Sequence, residues 1–284
     1  MHSSSSLVGA AHASTHAWDV LERLVDVGSR MAGSEGEARG AGILAEAFAE
    51  SGLRAVETTE FEIPGWTRGS SALAVAGPVE RTFEAAHELV ALPGTPAGTV
   101  EGEVVDLGYA LPPDLDRADV AGKLVLATAS TGDPEGYHRP LHRTEKYRRV
   151  ADAGAAGLLF YGGPDGCLPP TGWAVFERRD ATPGPMPAVG VSREVGARIA
   201  RWAARDAVGA KLRVDCGNAP ATSRNVEAVV GPEDGEEVLV TAHVDAHDLA
   251  DGARDDGAGC ALVAEVGRLL AAVEDDLDAR VRVV

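Results

Sequence analysis

Cysteine, lysine, aromatic side chains and long apolar runs are all scarce in this chain of 284 residues. Its three cysteines, Cys167, Cys216 and Cys260, are odd in number, widely spaced and without a C-x-x-C pair. That excludes a disulfide framework and a zinc–thiolate site, and leaves small thiols in a reducing compartment. Lysine occurs only at Lys123, Lys146 and Lys211, so the positive charge is nearly all arginine. No apolar run approaches the ~20 residues that span a bilayer. Residues 1–20 hold no Lys or Arg and no sustained apolar stretch, so they do not read as a secretory signal peptide, and a cytoplasmic location is the expectation. His2, Ser3, Ser6, His12 and His16 read as a frayed polar tail. There is no G-x-S-x-G, since Gly190-Val191-Ser192-Arg193-Glu194 lacks the last glycine. A phosphate-cradling G-x-x-x-x-G-K-[ST] is also missing.

What abounds is negative charge: 44 acidic against 26 basic side chains, a formal net charge of -18. Such a surface repels phosphate backbones and anionic bilayers, which excludes a nucleic-acid binder and disfavours membrane attachment. Acidic excess with little lysine suits a protein working at high salt; an acidic protein from a GC-rich genome is the other reading. Hydrophobic residues make up 45% of the chain, enough for a packed core, so disorder is not expected.

Helical spacing of Trp18, Leu21, Leu24 and Val25 predicts a first helix over 17–27, ended by Gly28. Ser34 with Glu37 has the capping-box spacing. A second helix follows with Ile43, Leu44, Ala47 and Phe48 inward, and stops at Gly52. Residues 56–63 read as a strand broken by Pro64-Gly65. From about 70 the texture changes to short strands at 100–107, 123–129, 157–161, 187–191 and 211–214. A helix at 144–153 and a Ser192-capped helix to 205 lie among them, giving a compact α/β unit. Beyond Asn218, strands are expected at 226–230 and 237–242, and Val238-Leu239-Val240 suits a strand buried on both faces. A helix over 258–274 is expected to turn Leu262, Val266, Leu269, Leu270 and Val273 inward. A last strand begins at 280, and Val281, Val283 and Val284 are expected to lie exposed where the chain stops. His138, Arg139, His142, Arg143, Lys146, Arg148 and Arg149 form a basic island, read chiefly as a solvated helix face. The fold class is α/β, a mostly parallel sheet flanked by helices, divided at 1–69, 70–215 and 216–284.

The stretch that carries chemistry is Thr241-Ala242-His243-Val244-Asp245, followed by Gly252-Ala253-Arg254-Asp255-Asp256-Gly257-Ala258-Gly259. His243 falls where a strand ends, the place ligands gather in open α/β sheets. Asp245 is close enough to orient the imidazole, and a carboxylate behind a metal-bound histidine fixes its tautomer. Asp255 and Asp256 precede a helix, whose N-terminus favours negative charge. An imidazole and one or two carboxylates at a strand end are ligands suited to Zn²⁺. Each motif alone is more often a hydrogen-bonded histidine or a helix cap; together, in a strand–loop–helix, they favour the metal.

These motifs resemble the first half of the co-catalytic di-zinc aminopeptidases, the family of bacterial leucyl aminopeptidase, aminopeptidase Y and the glutamate carboxypeptidases. Gly28-Ser29-Arg30-Met31-Ala32-Gly33-Ser34 is similar to that family's R-x-x-G-S turn. Val120-Ala121-Gly122-Lys123-Leu124-Val125-Leu126, Ala153-Gly154-Ala155-Ala156-Gly157 and Pro187-Ala188-Val189-Gly190-Val191 resemble the protease-associated domain inserted in it. The resemblance implies a zinc exopeptidase, aminopeptidase or dipeptidase, with two Zn²⁺ per complete site and metal-activated water attacking a peptide carbonyl. It implies that His243 binds one zinc, Asp255 bridges both, Asp245 supports His243, and Asp256 shapes the loop beside an unusual peptide bond. It also implies a Glu-Glu pair with the general base, and further ligands, beyond Val284. The chain is therefore expected to be cut short and inactive alone. Glu236-Glu237 precedes the His243 strand and reads as a solvated strand start. A peptide is the expected partner, and a homo-oligomer stays open. The alternatives are a non-catalytic family member acting as a binding or receptor-like module, and a di-zinc hydrolase of the aminoacylase type.

Overall fold

The computed structural model describes residues 4–85, 87–130, 139–162, 166–175 and 181–284. The first half runs α1 (Ser4–Ala13), α2 (His16–Asp26), α3 (Glu35–Glu50), β1 (Arg54–Ala76), β2 (Arg81–Glu84), β3 (Leu89–Ala91), β4 (Gly98–Asp106), α4 (Pro112–Arg117) and β5 (Leu124–Thr128). The second runs α5 (Arg143–Asp152), β6 (Gly157–Tyr161), β7 (Ala188–Val191), α6 (Arg193–Ala203), β8 (Gly209–Val230), β9 (Glu237–Val240), α7 (Ala258–Ala271) and β10 (Arg280–Val283). Among the described residues no helix is long and apolar enough to cross a membrane.

The chain divides into two compact units, Met1–Gly65 with Ala221–Val284, and Trp66–Pro220. Each has its own apolar core. In the first, Leu24, Ala47, Phe48, Ala264 and Val283 pack together. In the second, Val125, Ala127, Val150, Leu158 and Phe160 do so. Within the second unit β4, β5, β6 and β7 lie side by side and parallel, with registers such as Val125 opposite Leu158, and β3 closes the edge antiparallel to β7. In the first unit β10 lies between β9, to which it is parallel, and β8, to which it is antiparallel. The β9–α7–β10 crossover therefore leaves residue 243 just past the carboxyl end of β9, and the sheet is a parallel-containing α/β sheet flanked by helices.

Several local signals act as the sequence suggests. The Ser34 side chain accepts a hydrogen bond from Glu37 N at 3.2 Å and caps α3. Ser192 does the same for α6, from Val195 N at 3.2 Å. Other expectations need correction. The polar tail is helical from Ser4 to Ala13. Pro64-Gly65 does not end its strand: β1 stays extended through it to Ala76 and carries the chain from one unit into the other. Proline lacks a donor but has strand-compatible φ, so it interrupts a ladder without requiring a bend. The separate strands expected around 211–214 and 226–230 are one strand, β8, for the same reason: Asn218 and Pro220 stay extended.

The α7 face is the instructive error. Cys260, Ala261, Val263, Ala264, Glu265 and Gly267 are the buried residues, while Leu262 is 61% exposed. Small side chains let α7 approach its neighbours closely; a Cβ on Gly267 would come within 2.9 Å of Leu53. Of the large apolar residues expected inward, Val266, Leu269 and Leu270 are half-buried, and Val273, just past the helix, is buried as expected. In β9, likewise, Val238 and Leu239 are exposed rather than buried on both faces, whereas Val281 and Val283 are buried, Val283 in the core with Leu24, Phe48 and Ala264.

The basic island is not a solvated face throughout. Of its members His138 lies outside the described residues. Arg139 and Arg149 both pair with Glu145, and Arg148 with Asp152. Lys146 is buried, its Nζ donating to the carbonyls of Thr128 at 2.9 Å and Ser130 at 2.8 Å beside the Tyr109 ring. Burial pushes the Lys146 ammonium down to about 8. Between about pH 8 and the ordinary lysine value of 10.5 the unfolded chain holds more protons than the folded one, so this group makes stability rise with pH there. Below that window the cost of the buried charge is present in full; above it the cost is gone. The stability of the wild type minus that of Lys146→Met is expected to rise between pH 8 and 10.5 in thermal melts. A difference that stays flat across this window contradicts the assignment.

Candidate metal centre

His243 stands beyond the end of β9, and Asp255 in the turn that leads into α7. The imidazole joins the three residues the sequence marks. Its Nδ1 lies 3.0 Å from the Asp245 carbonyl and 3.2 Å from the Asp245 carboxylate. Its Nε2 lies 3.1 Å from Asp255 Oδ1. Two acceptors on one side hold a proton on Nδ1, so Nε2 is the nitrogen a metal would take; without a metal, the Asp255 carboxylate favours a proton on Nε2 as well. Burial draws the His243 pKa down, but the Asp245 charge and carbonyl, with the charges of Asp256 and Asp255, outweigh it, and the net direction is up from an ordinary histidine.

Asp256 links the two motifs. Its Oδ2 accepts from the backbone N–H of His243 at 3.3 Å, and its Oδ1 from Gly259 N at 3.1 Å, in the first turn of α7. Glycine is required at 259, where a Cβ would lie 2.2 Å from that carboxylate. The Asp255–Asp256 peptide is cis, the unusual bond that the resemblance implies at this place. Cys260 donates Sγ–H to the His243 carbonyl at 3.3 Å, and burial pushes its thiol up to about 12, so it acts as a neutral donor behind the site.

The donor set fits zinc in part. Two bonds of about 2.0–2.1 Å meeting at a tetrahedral centre put their donor atoms about 3.3 Å apart, and His243 Nε2 and Asp255 Oδ1 stand at 3.1 Å. Both are open to solvent, with the Asp255 side chain 82% exposed. Among the described residues, however, no group of three or more His, Cys, Asp or Glu side chains is arranged to hold a metal ion. Glu237 does not complete the set. It is engaged by Arg282 at 3.1 and 3.2 Å, and that bonding holds its carboxyl below the usual carboxylate range. His247 is half-buried in the loop between the motifs.

Beside His243 is a cleft of about 170 Å³ whose walls include Phe61, Ser223, Ala242, Asp245 and Glu37. Glu37 is buried. Its carboxylate accepts from Gly33 N at 2.9 Å and from the Ser223 hydroxyl. The capping-box spacing flagged Glu37, but its side chain reaches back to Gly33 rather than to Ser34 and across to β8.

Comparison with known proteins gives two family matches. Residues 88–199 match the PA domain, and residues 225–284 match Peptidase family M28. The chain is thus similar to peptidase family M28 over its last 60 residues, and to the PA domain over the stretch before them. Aminopeptidase YwaD of Bacillus subtilis is 26% identical over 269 residues, covering 93% of this chain and 53% of the relative. Carboxypeptidase Q of Xenopus laevis is 27% identical over 262 residues, covering 87% and 53%. The chain thus spans about half the length of the curated relatives it matches. A solved Peptidase M28 precursor from Shewanella amazonensis superposes with a TM-score of 0.76 at 25% identity, over 98% of this chain and 65% of that one. A zinc aminopeptidase from Bacillus subtilis has the same fold, with a TM-score of 0.69 at 24% identity over 95% and 60%.

Loss of the Glu37 carboxylate leaves two donors beside the cleft without an acceptor. Glu37→Ala is expected to destabilise the protein by about 1–3 kcal/mol, and Glu37→Gln by less, because an amide oxygen still accepts one bond. Urea unfolding followed by circular dichroism reads this; an alanine variant within about 0.5 kcal/mol of wild type speaks against it.

Proposed function

We propose that this chain is the His243/Asp255 portion of a zinc-dependent exopeptidase, acting on the terminal residue of a peptide or on a dipeptide. The observation that carries the reading is the His243 imidazole, with Nδ1 held by Asp245 and Nε2 3.1 Å from the Asp255 carboxylate. His243 and Asp255 would hold the metal. Zinc, when bound, supplies a Lewis acid that polarises a carbonyl and acidifies water. The protein's share is orientation. Asp245 keeps the proton on Nδ1 and the ring turned toward Asp255. Asp256 ties the His243 backbone to the start of α7, so the two donors are set by main-chain geometry. The names of the relatives, an aminopeptidase and a carboxypeptidase, support an exopeptidase and leave the polarity of the substrate to experiment.

Zinc sites ordinarily use at least three protein ligands. Residues 1–284 alone are therefore expected to bind zinc weakly and to turn over no peptide. In a chain that also supplies the further ligands, His243→Ala and Asp255→Ala should each abolish hydrolysis of aminoacyl amides. Asp245→Asn should cost about 10–100-fold, as changes behind a ligand do. Wild-type turnover by both alanine variants would falsify the metal assignment. Zinc-independent peptide binding with no turnover would instead support a binding module without catalysis.

The net charge of -18 also supports a working environment of high ionic strength. Repulsion among carboxylates opposes folding and is screened as the Debye length falls from about 10 Å at 0.1 M to about 3 Å at 1 M salt. The melting midpoint is expected to rise along a KCl series; a flat or falling midpoint removes the halophilic part of the reading.

A further inference from the structure

Arg30 is a charged side chain with no exposed surface, and its side-chain hydrogen bonds among the described residues go to backbone. Its guanidinium gives four hydrogen bonds, all to backbone carbonyls. Nε donates to Val244 at 2.9 Å, Nη1 to Leu24 at 2.8 Å and Asp251 at 2.7 Å, and Nη2 to Gly252 at 3.1 Å. Its own backbone carbonyl accepts from Ala246 N at 2.9 Å. The residue between those two attachments is Asp245, which holds the His243 ring. The other pair of carbonyls, at 251 and 252, lies where the chain turns toward Asp255. Gly252 there has φ 61, and its carbonyl also accepts from Gly257 N at 2.9 Å. One side chain thus bonds both segments that carry the candidate ligands.

The surroundings are shaped to the guanidinium. A Cβ on Gly252 would stand 2.8 Å from Arg30 Nη2, one on Gly40 would stand 2.9 Å from Arg30 Cδ, and one on Gly257 would stand 3.4 Å from Nη2. Bare backbone at these positions lets the carbonyls close on the N–H groups. A guanidinium presents its donors in a rigid planar fork, so it sets directions as well as distances. Lysine, with three donors on one nitrogen, cannot reach the same four carbonyls.

We propose that Arg30 is the positioning residue of the metal centre: it sets the His243–Asp245 segment and the Asp251–Asp255 turn relative to each other, and so sets the distance between the two donors. This rests on the metal reading above for its purpose, but the clamp itself can be measured without metal.

The test compares full-chain wild type, Arg30→Met, Arg30→Lys, Arg30→Ala, Gly40→Ala and His243→Ala. Gly40→Ala keeps the arginine and crowds it, so it probes geometry without removing a donor. Peptide-resolved hydrogen exchange reads order in 243–257, with residues 66–220 as internal reference. Iodoacetamide labelling of Cys260, located by mass spectrometry, reads opening behind His243. Equilibrium dialysis reads Zn²⁺ affinity. In Arg30→Met, Arg30→Lys and Gly40→Ala, exchange in 243–257 should quicken about tenfold or more while α2 and α3 keep theirs, and Cys260 should become reactive. Zinc affinity should drop about 10–100-fold, the effect of outer contacts on a metal site. Millimolar guanidinium, but not ethylammonium, should restore slow exchange and affinity in Arg30→Ala. Unchanged exchange in 243–257 in the Arg30 variants overturns the proposal. So does loosening spread evenly over α2, α3 and β8 without guanidinium rescue, since that is the signature of a merely structural arginine. If wild type and His243→Ala bind zinc equally, the metal reading falls, while the exchange data still decide the clamp.

Discussion

A guanidinium sealed from solvent must give its N–H groups to acceptors, because burying a charge without partners costs several kcal/mol even after relaxation. Arg30 meets that demand with carbonyls alone, drawn from the end of α2 and from two stretches more than 200 residues further along the chain. Burial pulls its pKa below the usual arginine range, with Asp245 and Asp251 among the charges that oppose the shift. The geometry of the site follows from this one constraint. The carbonyls cannot converge unless the segment after β9 and the turn before α7 come together, and these are the segments that present His243 and Asp255.

Close approach of backbone makes that convergence possible. Gly40, Gly252 and Gly257 leave room for the arginine, and Gly259 leaves room for the Asp256 carboxylate that joins His243 N to α7. The same economy of side chains governs α7 itself, whose packed face is Cys260, Ala261, Ala264 and Gly267 while Leu262 faces out. Polar groups enclosed in this unit are bonded in turn: Glu37 binds Gly33 and Ser223, and Cys260 binds the His243 carbonyl. The site is thereby held by main-chain hydrogen bonds and short contacts rather than by a large apolar wall.

The PA unit rests on a different balance. Its parallel strands β5, β6 and β7 are almost wholly buried, with Leu124, Val125, Leu126, Leu158, Leu159 and Phe160 inaccessible to solvent. Lys146 crosses the carboxyl end of β5 as a buried cation on two carbonyls, an arrangement like that of Arg30 in the other unit. In both places a buried cationic side chain is satisfied by backbone carbonyls.

Much was legible in the residues alone. The acid–base imbalance, the strand–loop–helix around His243 and Asp255, the caps at Ser34 and Ser192, and the PA strands are local properties. They follow from composition, from spacing of apolar side chains and from hydrogen bonds within a few residues. The tertiary structure decided the rest. It turned α7 onto its small-residue face, kept β1 extended through Pro64-Gly65, placed β10 between two strands, withdrew Lys146 from solvent and committed Glu237 to Arg282. It also gave Arg30, marked in the sequence only as part of a turn, its contacts with residues 244, 251 and 252. Periodicity along a chain reports which side chains are apolar. It does not report which backbone carbonyls, far apart in sequence, need the same donor, and that need is met only once the chain has closed around it.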